Sequence, residues 1–410
     1  MRALRCVLVA GVATAVLAPA ATAQQSVPGL PTSNDACLPA PQGSATVLPW
    51  AQKQLAPHRV WPVSRGAGVV VAVVDTGVDA GVPQLAGGRV LPGIDVIAPG
   101  GRADSDCYGH GTFLAGIIAA GAGEGTAFAG VAPDATILPI RVATAVGENK
   151  PGALTPATMA QGIRAAVDAG ARVVNISAST TIDSPDLAAA VKHAQAKDVV
   201  VVASASNGAR DGATTPFPAA YPTVIAVGAV DVAGVRADFS QTGPYLSLVA
   251  PGVDVVSLGP KGPGHWQGSG TSYAAPFVAG TAALVRAYRP DLTAAQVKHR
   301  LEATANHPAT ALPDPGLGWG TVNPMAAVTA VLPAEGAAAA PVVAPPAAQP
   351  PVPAPHDEVG PVLAGAGVVA VVLLIPALVV FARLLSAARA RQWRRARTVQ
   401  VRSPGANTTA

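Results

Sequence analysis

Aromatic residues supply only 4% of this 410-residue chain and charged residues only 12%, while half of it is hydrophobic. So little charge argues against a disordered chain and suits an Ala/Val-rich α/β core with buried strands. Cysteine is scarce too, with three in all. No two lie at the short spacing of thiolate pairs in a structural zinc site, so no metal is expected. Acidic residues are missing altogether from Arg383 to the C-terminus, a stretch that holds seven arginines. Without that tail the formal charge of +4 becomes −3, so the basicity belongs to one end. No nucleic-acid partner follows from it.

Three segments stand apart from any folded core. Met1 to Ala23 has Arg2 and Arg5, an apolar stretch, then Ala21-Thr22-Ala23. These are the three parts of a secretory signal, and cleavage is expected after Ala23. Residues 359–382 carry no charge and are mostly Val, Leu, Ala and Gly. At about 20 residues per span, they are long enough to cross a bilayer as one transmembrane helix. The arginines of the tail, 383–410, would keep the C-terminus in the cytoplasm and leave everything before the span exported. Pro376 would kink such a helix without ending it. A buried core helix is the alternative, but nothing follows that could bury it. Residues 333–358 open on "PAEGAAAAPVVAPPAAQPPVPAP", a Pro/Ala linker that should be extended and stiff.

Export bears on the cysteines. Cys6 leaves with the signal, so the mature chain keeps Cys37 and Cys107. In an oxidising compartment these most simply form one disulfide; two buried free thiols are the alternative.

Between the extension, 24–63, and the linker, the pattern over 64–332 is strand, loop, helix, repeated. "GVVVAVVDTG" from Gly68, "ATILPIRV" from Ala135, "ARVVNISAS" from Ala171 and "VVVVASASN" from Val199 read as strands. "HGTFLAGIIAAGAG" from His110, "TPATMAQGIRAAVDAG" from Thr155 and "SPDLAAAVKHAQAKD" from Ser184 read as helices. Apolar strands without polar alternation, separated by helices, predict a mostly parallel sheet covered on both faces. Gly121 to Gly130 is glycine-rich but follows a helix instead of opening one, so it is not a dinucleotide loop. No EF-hand calcium loop is visible, and no cofactor is expected.

In such a sheet, chemistry collects at the carboxyl ends of strands. Asp75 and Asn207 each close a strand reading, while His110 and Ser272 each open a helix reading. Alone, each has a plain alternative as a cap, a turn or a surface residue. Together, Asp, His and Ser in that order at loop-facing ends give the chain order of subtilisin. The strings "VVDTGVD", "GHGTFLAGIIA", "VNIS", "SASNG" and "GTSYAAP" fit as well.

From Val69 to Val331 the chain resembles the subtilisin-like serine proteases. "HRVWPVSRGAGVVVAVVDTGVD", "GTSYAAPFVAG" and "LTAAQVKHRLEATANHP" resemble more narrowly the mycosins, membrane-anchored subtilases of type VII secretion systems. The resemblance implies a subtilisin-like three-layer fold and a serine endopeptidase. Its triad would be Asp75, His110 and Ser272, with Asn207 completing the oxyanion hole. It implies that Ser177, Ala178, Ser179 and Ser204, Ala205, Ser206 form backbone walls of the cleft, with a protein or peptide substrate extended beside them. The membrane secretion complex and, through 359–382, the bilayer would be the other partners.

Two departures suggest a narrow substrate range: "NISAST" replaces the usual Leu-Gly-Gly continuation, and "SASN" an Ala-Gly approach to Asn207. Residues 24–63 are too short and too poor in apolar periodicity for an inhibitory prodomain, set against a minimum domain of about 40–50 residues. A strap over the enzyme is expected instead. A scaffold subunit with proteolysis secondary is the competing function.

Overall fold

The computed structural model describes residues 27–30, 37–144, 152 and 154–336, with 380, 383, 384, 386 and 387 near the C-terminus. The chain divides into two units, 1–339 and 340–410, and the first of them holds the sheet and its covering helices. The expected signal and nearly all of the linker, span and tail lie outside the described residues. Among the described residues no helix is long and apolar enough to cross a membrane.

The extension contributes α1, Trp50–Leu55. The chain then alternates through β1 (Val70–Asp75), β2 (Ile94–Asp95), α2 (His110–Ala119) and β3 (Thr136–Arg141). It continues through α3 (Pro156–Asp168), β4 (Val173–Ile176), α4 (Pro185–Ala196) and β5 (Val200–Ser204). Strands β6 (Ile225–Val230) and β7 (Leu246–Pro251) complete the sheet, and β8 (Val255–Leu258) with β9 (His265–Gly268) forms a hairpin. Three helices close the fold: α5 (Thr271–Tyr288), α6 (Ala294–Ala303) and α7 (Pro324–Thr329).

Seven strands lie in the order β2-β3-β1-β4-β5-β6-β7, and every pairing is parallel. Among the described strands, β8 and β9 pair antiparallel. The pleat sends alternate side chains to opposite faces. Val71, Val73, Val173 and Val202 pack with α2 and α5, whereas Val74, Val174, Ile176 and Val201 pack with α3 and α4. Both faces are therefore apolar, which explains the absence of polar alternation. Each fully buried valine contributes about 1.5–3 kcal/mol before entropy is counted. Sheet order reverses at β1, so the ends of β1, β4 and β5 border the crevice where such folds bind ligands.

The described part of the extension is a strap. Leu30 N–H donates to Gln267 O and Gln267 N–H to Pro28 O, at 2.6 and 2.8 Å. His265 N–H donates to Gly43 O at 2.8 Å. Ala45, Ala51, Leu55 and Val60 join the main core instead of building one of their own.

His265 is the buried clasp of this strap. Gln84 uses its amide Nε2 on the carbonyls of Gly121 and Phe128, which leaves Oε1 to accept from His265 Nε2–H. The opposite nitrogen, Nδ1, must then be unprotonated, and it accepts from Ala45 N–H of the strap. Burial pushes the imidazole down to about 4. The unfolded chain thus binds this proton first, and stability is lost as pH falls from about 6.5 toward 4. Thermal melting between pH 7 and pH 4 should show a steeper loss in wild type than in His265→Gln. Parallel curves would remove His265 as the source.

Candidate active site

Asp75, His110, Asn207 and Ser272 line one cleft of about 420 Å³ at the carboxyl edge of the sheet. Ser177, Ala178 and Ser179 after β4 line it too, as do Ser204 and Ser206 at the end of β5. Ala205 faces the other way: it is fully buried against Val230, Leu246 and Val249. Only its backbone is available to the cleft wall, as the resemblance implies.

Asp75 is the last residue of β1, and its Oδ1 accepts from His110 Nδ1 at 2.8 Å. That bond fixes the proton on Nδ1 and leaves Nε2 as the basic nitrogen. Thr76 holds the same oxygen through its N–H at 2.9 Å and its hydroxyl at 3.2 Å. Burial pulls the His110 imidazole down, but the charge and hydrogen bond of Asp75, with the charge of Asp106, raise it overall. The Tyr273 ring lies 5.5 Å from the imidazole. Burial and then the Asp75 charge push its phenol up, so it stays neutral.

Gly109 carries the chain into α2 with φ +78, a left-handed conformation that disfavours a side chain. A Cβ there would sit 2.5 Å from Leu38 Cδ1, so the strap closes against the start of the histidine helix. Leu38 N–H donates to Cys107 O at 2.8 Å, and Cys37 is disulfide-bonded to Cys107 with Cα atoms 4.4 Å apart. Of the two alternatives for the cysteines, the structure holds the bond.

Ser272 is the second residue of α5, where the helix dipole favours developing negative charge. Asn207 lies three residues beyond β5 instead of ending it. Its Oδ1 accepts from Thr271 N–H at 2.8 Å and Thr271 Oγ1 at 2.9 Å. The amide is thereby oriented, with Nδ2 as its remaining donor beside Gly270.

Pro276 is the sixth residue of α5, beyond its first turn. Without an N–H it cannot bond the carbonyl four residues back, which is that of Ser272. Ser177 fills the vacancy. Its hydroxyl donates to Ser272 O at 2.7 Å and accepts from Asn175 Nδ2 at 3.0 Å. The Ser272 carbonyl is thus held from the end of β4. Ser177→Ala should leave that half-buried carbonyl without this donor and cost about 1–3 kcal/mol of stability. Denaturant melting checks it, and an unchanged midpoint would show another donor taking over.

Sequence reasoning missed Thr76, Asp106 and the Ser177 hydroxyl as parts of the site. An acid four residues before a Gly-His helix start, in "DSDCYGHG", was the available signal for Asp106. A proline four residues after the serine was the signal for a compensating donor.

Comparison with known proteins identifies the family. The Subtilase family model (peptidase S8) matches residues 66–320. Mycosin-4 of Mycobacterium tuberculosis (strain ATCC 25618 / H37Rv) is 40% identical, over 70% of this chain and 71% of that protein. The solved structure of the MycP3 protease from the type VII (ESX-3) secretion system superposes with a TM-score of 0.64 at 35% identity. It covers 74% of this chain and 95% of its own. A chain in the structure of an intact ESX-5 inner membrane complex gives 0.64 at 33% identity, covering 88% and 97%. The chain therefore belongs to the subtilase family and within it to the mycosins, and it is a serine endopeptidase.

Proposed function

We propose that this chain is a membrane-anchored endopeptidase of a type VII secretion system. Its signal (1–23) and strap (24–63) would precede a catalytic domain (64–332) outside the cytoplasm, tethered by linker 333–358. Residues 359–382 would cross the membrane once and leave 383–410 in the cytoplasm. The Asp75–His110 bond in a cleft shared with Ser272 and Asn207 is the observation that carries the catalytic reading.

In this mechanism Ser272 Oγ attacks the carbonyl carbon of a peptide bond while His110 Nε2 accepts its proton. Asp75 stabilises the imidazolium that results. The oxyanion receives Asn207 Nδ2 and the N–H groups at the start of α5. His110 then returns the proton to the departing amine, and water repeats the sequence on the acyl-enzyme. Small walls at Ser177–Ser179 and Ser204–Ser206 favour an extended substrate strand beside them.

Full-length protein should react with a fluorophosphonate at Ser272, and His110→Ala should nearly abolish the labelling. Undiminished labelling in that variant would exclude His110 as the base. A reporter fused after Arg397 should function only in the cytoplasm.

A scaffold role is the second reading, favoured by the related chain in an inner membrane complex. Cells carrying Ser272→Ala separate the two. Lost processing with retained secretion assigns the secretion phenotype to the scaffold.

A further inference from the structure

Asp106 is fully enclosed yet accepts five hydrogen bonds. Its Oδ1 receives Gly109 N–H at 2.8 Å, Tyr108 N–H at 3.1 Å and the Thr76 hydroxyl at 3.0 Å. Its Oδ2 receives Thr112 N–H at 2.8 Å and the Thr112 hydroxyl at 2.7 Å. Burial raises the Asp106 carboxyl, while its bonds from Thr112 and Gly109 act in the opposite direction; three of its donors are backbone groups whose hydrogens cannot turn away, and that favours the ionised carboxylate. Two of the three, on Gly109 and Thr112, belong to the start of α2, which has no side-chain cap at its N-cap residue. Asp106 caps that helix from outside, and the helix begins with His110.

The second link runs through Thr76. Its single hydroxyl lies 3.2 Å from Asp75 Oδ1 and 3.0 Å from Asp106 Oδ1, and it accepts from Gly111 N–H at 3.1 Å. One hydroxyl hydrogen is therefore shared between two carboxylates, while its oxygen is tied to the residue after His110. Asp75, Thr76, Gly111 and Asp106 form a closed frame behind the imidazole.

We propose that Asp106 is a positioning residue for proteolysis. It locks the His110 ring through Thr76 and the first turn of α2, and it sets a second negative charge behind the imidazolium. This rests on His110 being the base, which labelling of the His110→Ala variant tests separately.

The remaining groups around the imidazole do not supply that charge. From α5 comes Tyr273, a neutral phenol, and from β1 comes Asp75, already bonded to Nδ1. Arg141 of β3 donates to Thr76 O at 3.1 Å and to Asp95 Oδ2 at 2.6 Å, so its charge is committed to Asp95. Asp104 is paired with Arg102, and Cys107 is in the disulfide. In keeping with this, the charges that raise His110 are those of Asp75 and Asp106.

The test needs no natural substrate. The rate of fluorophosphonate labelling at Ser272 in the full chain is measured against pH, since attack requires unprotonated His110. Asp106→Asn preserves shape and removes the charge. Its acid limb should move to lower pH by about half a unit or more, while the alkaline plateau falls less than about tenfold. A helix-capping role alone would lower the plateau and leave the limb where it was. A limb at or above the wild-type position therefore overturns the proposal. Thr76→Val tests the frame independently, including where Asp106→Asn fails to fold. It should lower the plateau at least about tenfold, with Thr76→Ser restoring it; wild-type labelling by Thr76→Val overturns the linkage.

Discussion

Asp75→Asn is expected to slow reaction at Ser272 by about four orders of magnitude, the scale of this change in Ser-His-Asp triads. The size follows from the tautomer. Asp75 Oδ1 accepts from His110 Nδ1 at 2.8 Å and from Thr76 N–H at 2.9 Å. An asparagine oxygen left in that place would keep both donors, whereas an amide turned over puts its NH₂ group there and offers a hydrogen where the imidazole needs an acceptor. If the amide turns that group toward Nδ1, the ring must carry its hydrogen on Nε2. It then presents a donor where the serine hydroxyl needs a base. The site also loses the charge that raises the imidazole, so the acid limb of the residual activity should move to lower pH. Fluorophosphonate labelling rates between pH 5 and 10 measure both effects. Loss under about tenfold would mean that Asp75 does not orient His110. Because the change is isosteric, the melting temperature separates lost chemistry from lost fold.

The sheet and the site were legible to different depths for a physical reason. Runs such as Val70–Asp75 and Val200–Ser204 are apolar on both faces, so their sequence alone dictates buried parallel strands. Helices α3 and α4 announce themselves by Thr155 and Ser184, whose side chains accept from the third helical N–H. As candidates, Asp75, His110 and Ser272 were legible because each sits where a strand ends or a helix begins. Ser177, Thr76 and Asp106 were not. Their roles depend on one hydroxyl or carboxylate meeting a specific atom from a different loop, which no periodicity records. Ala205, between Ser204 and Ser206, turns its side chain into the core, because alternation along the backbone sends it to the opposite face. The strap's path along β9 was equally hidden, because most of its contacts there are backbone hydrogen bonds.

Cys37→Ser with Cys107→Ser should lower the stability of the folded unit by about 4 kcal/mol. The bond joins residues 70 apart in sequence, and a closed loop of that size removes much chain entropy from the unfolded state. For a domain of this size that corresponds to roughly 8–15 °C in melting temperature. The loop contains Asp75, and Cys107 lies between Asp106 and the helix that begins at His110. Loss of the bond therefore removes the covalent hold of the strap at the same place where the histidine is positioned. Leu38 would remain against Gly109 through its hydrogen bond to Cys107 O, but in an equilibrium that warming can open. Activity should accordingly fall more steeply with temperature in the double variant than in wild type, before global unfolding begins. Calorimetry and labelling of Ser272 across the same temperature range check both parts. Equal melting temperatures would place the hold of the strap in its hydrogen bonds to β9 and in Leu38, Leu55 and Val60. The disulfide would then be a consequence of the docked strap and not its cause.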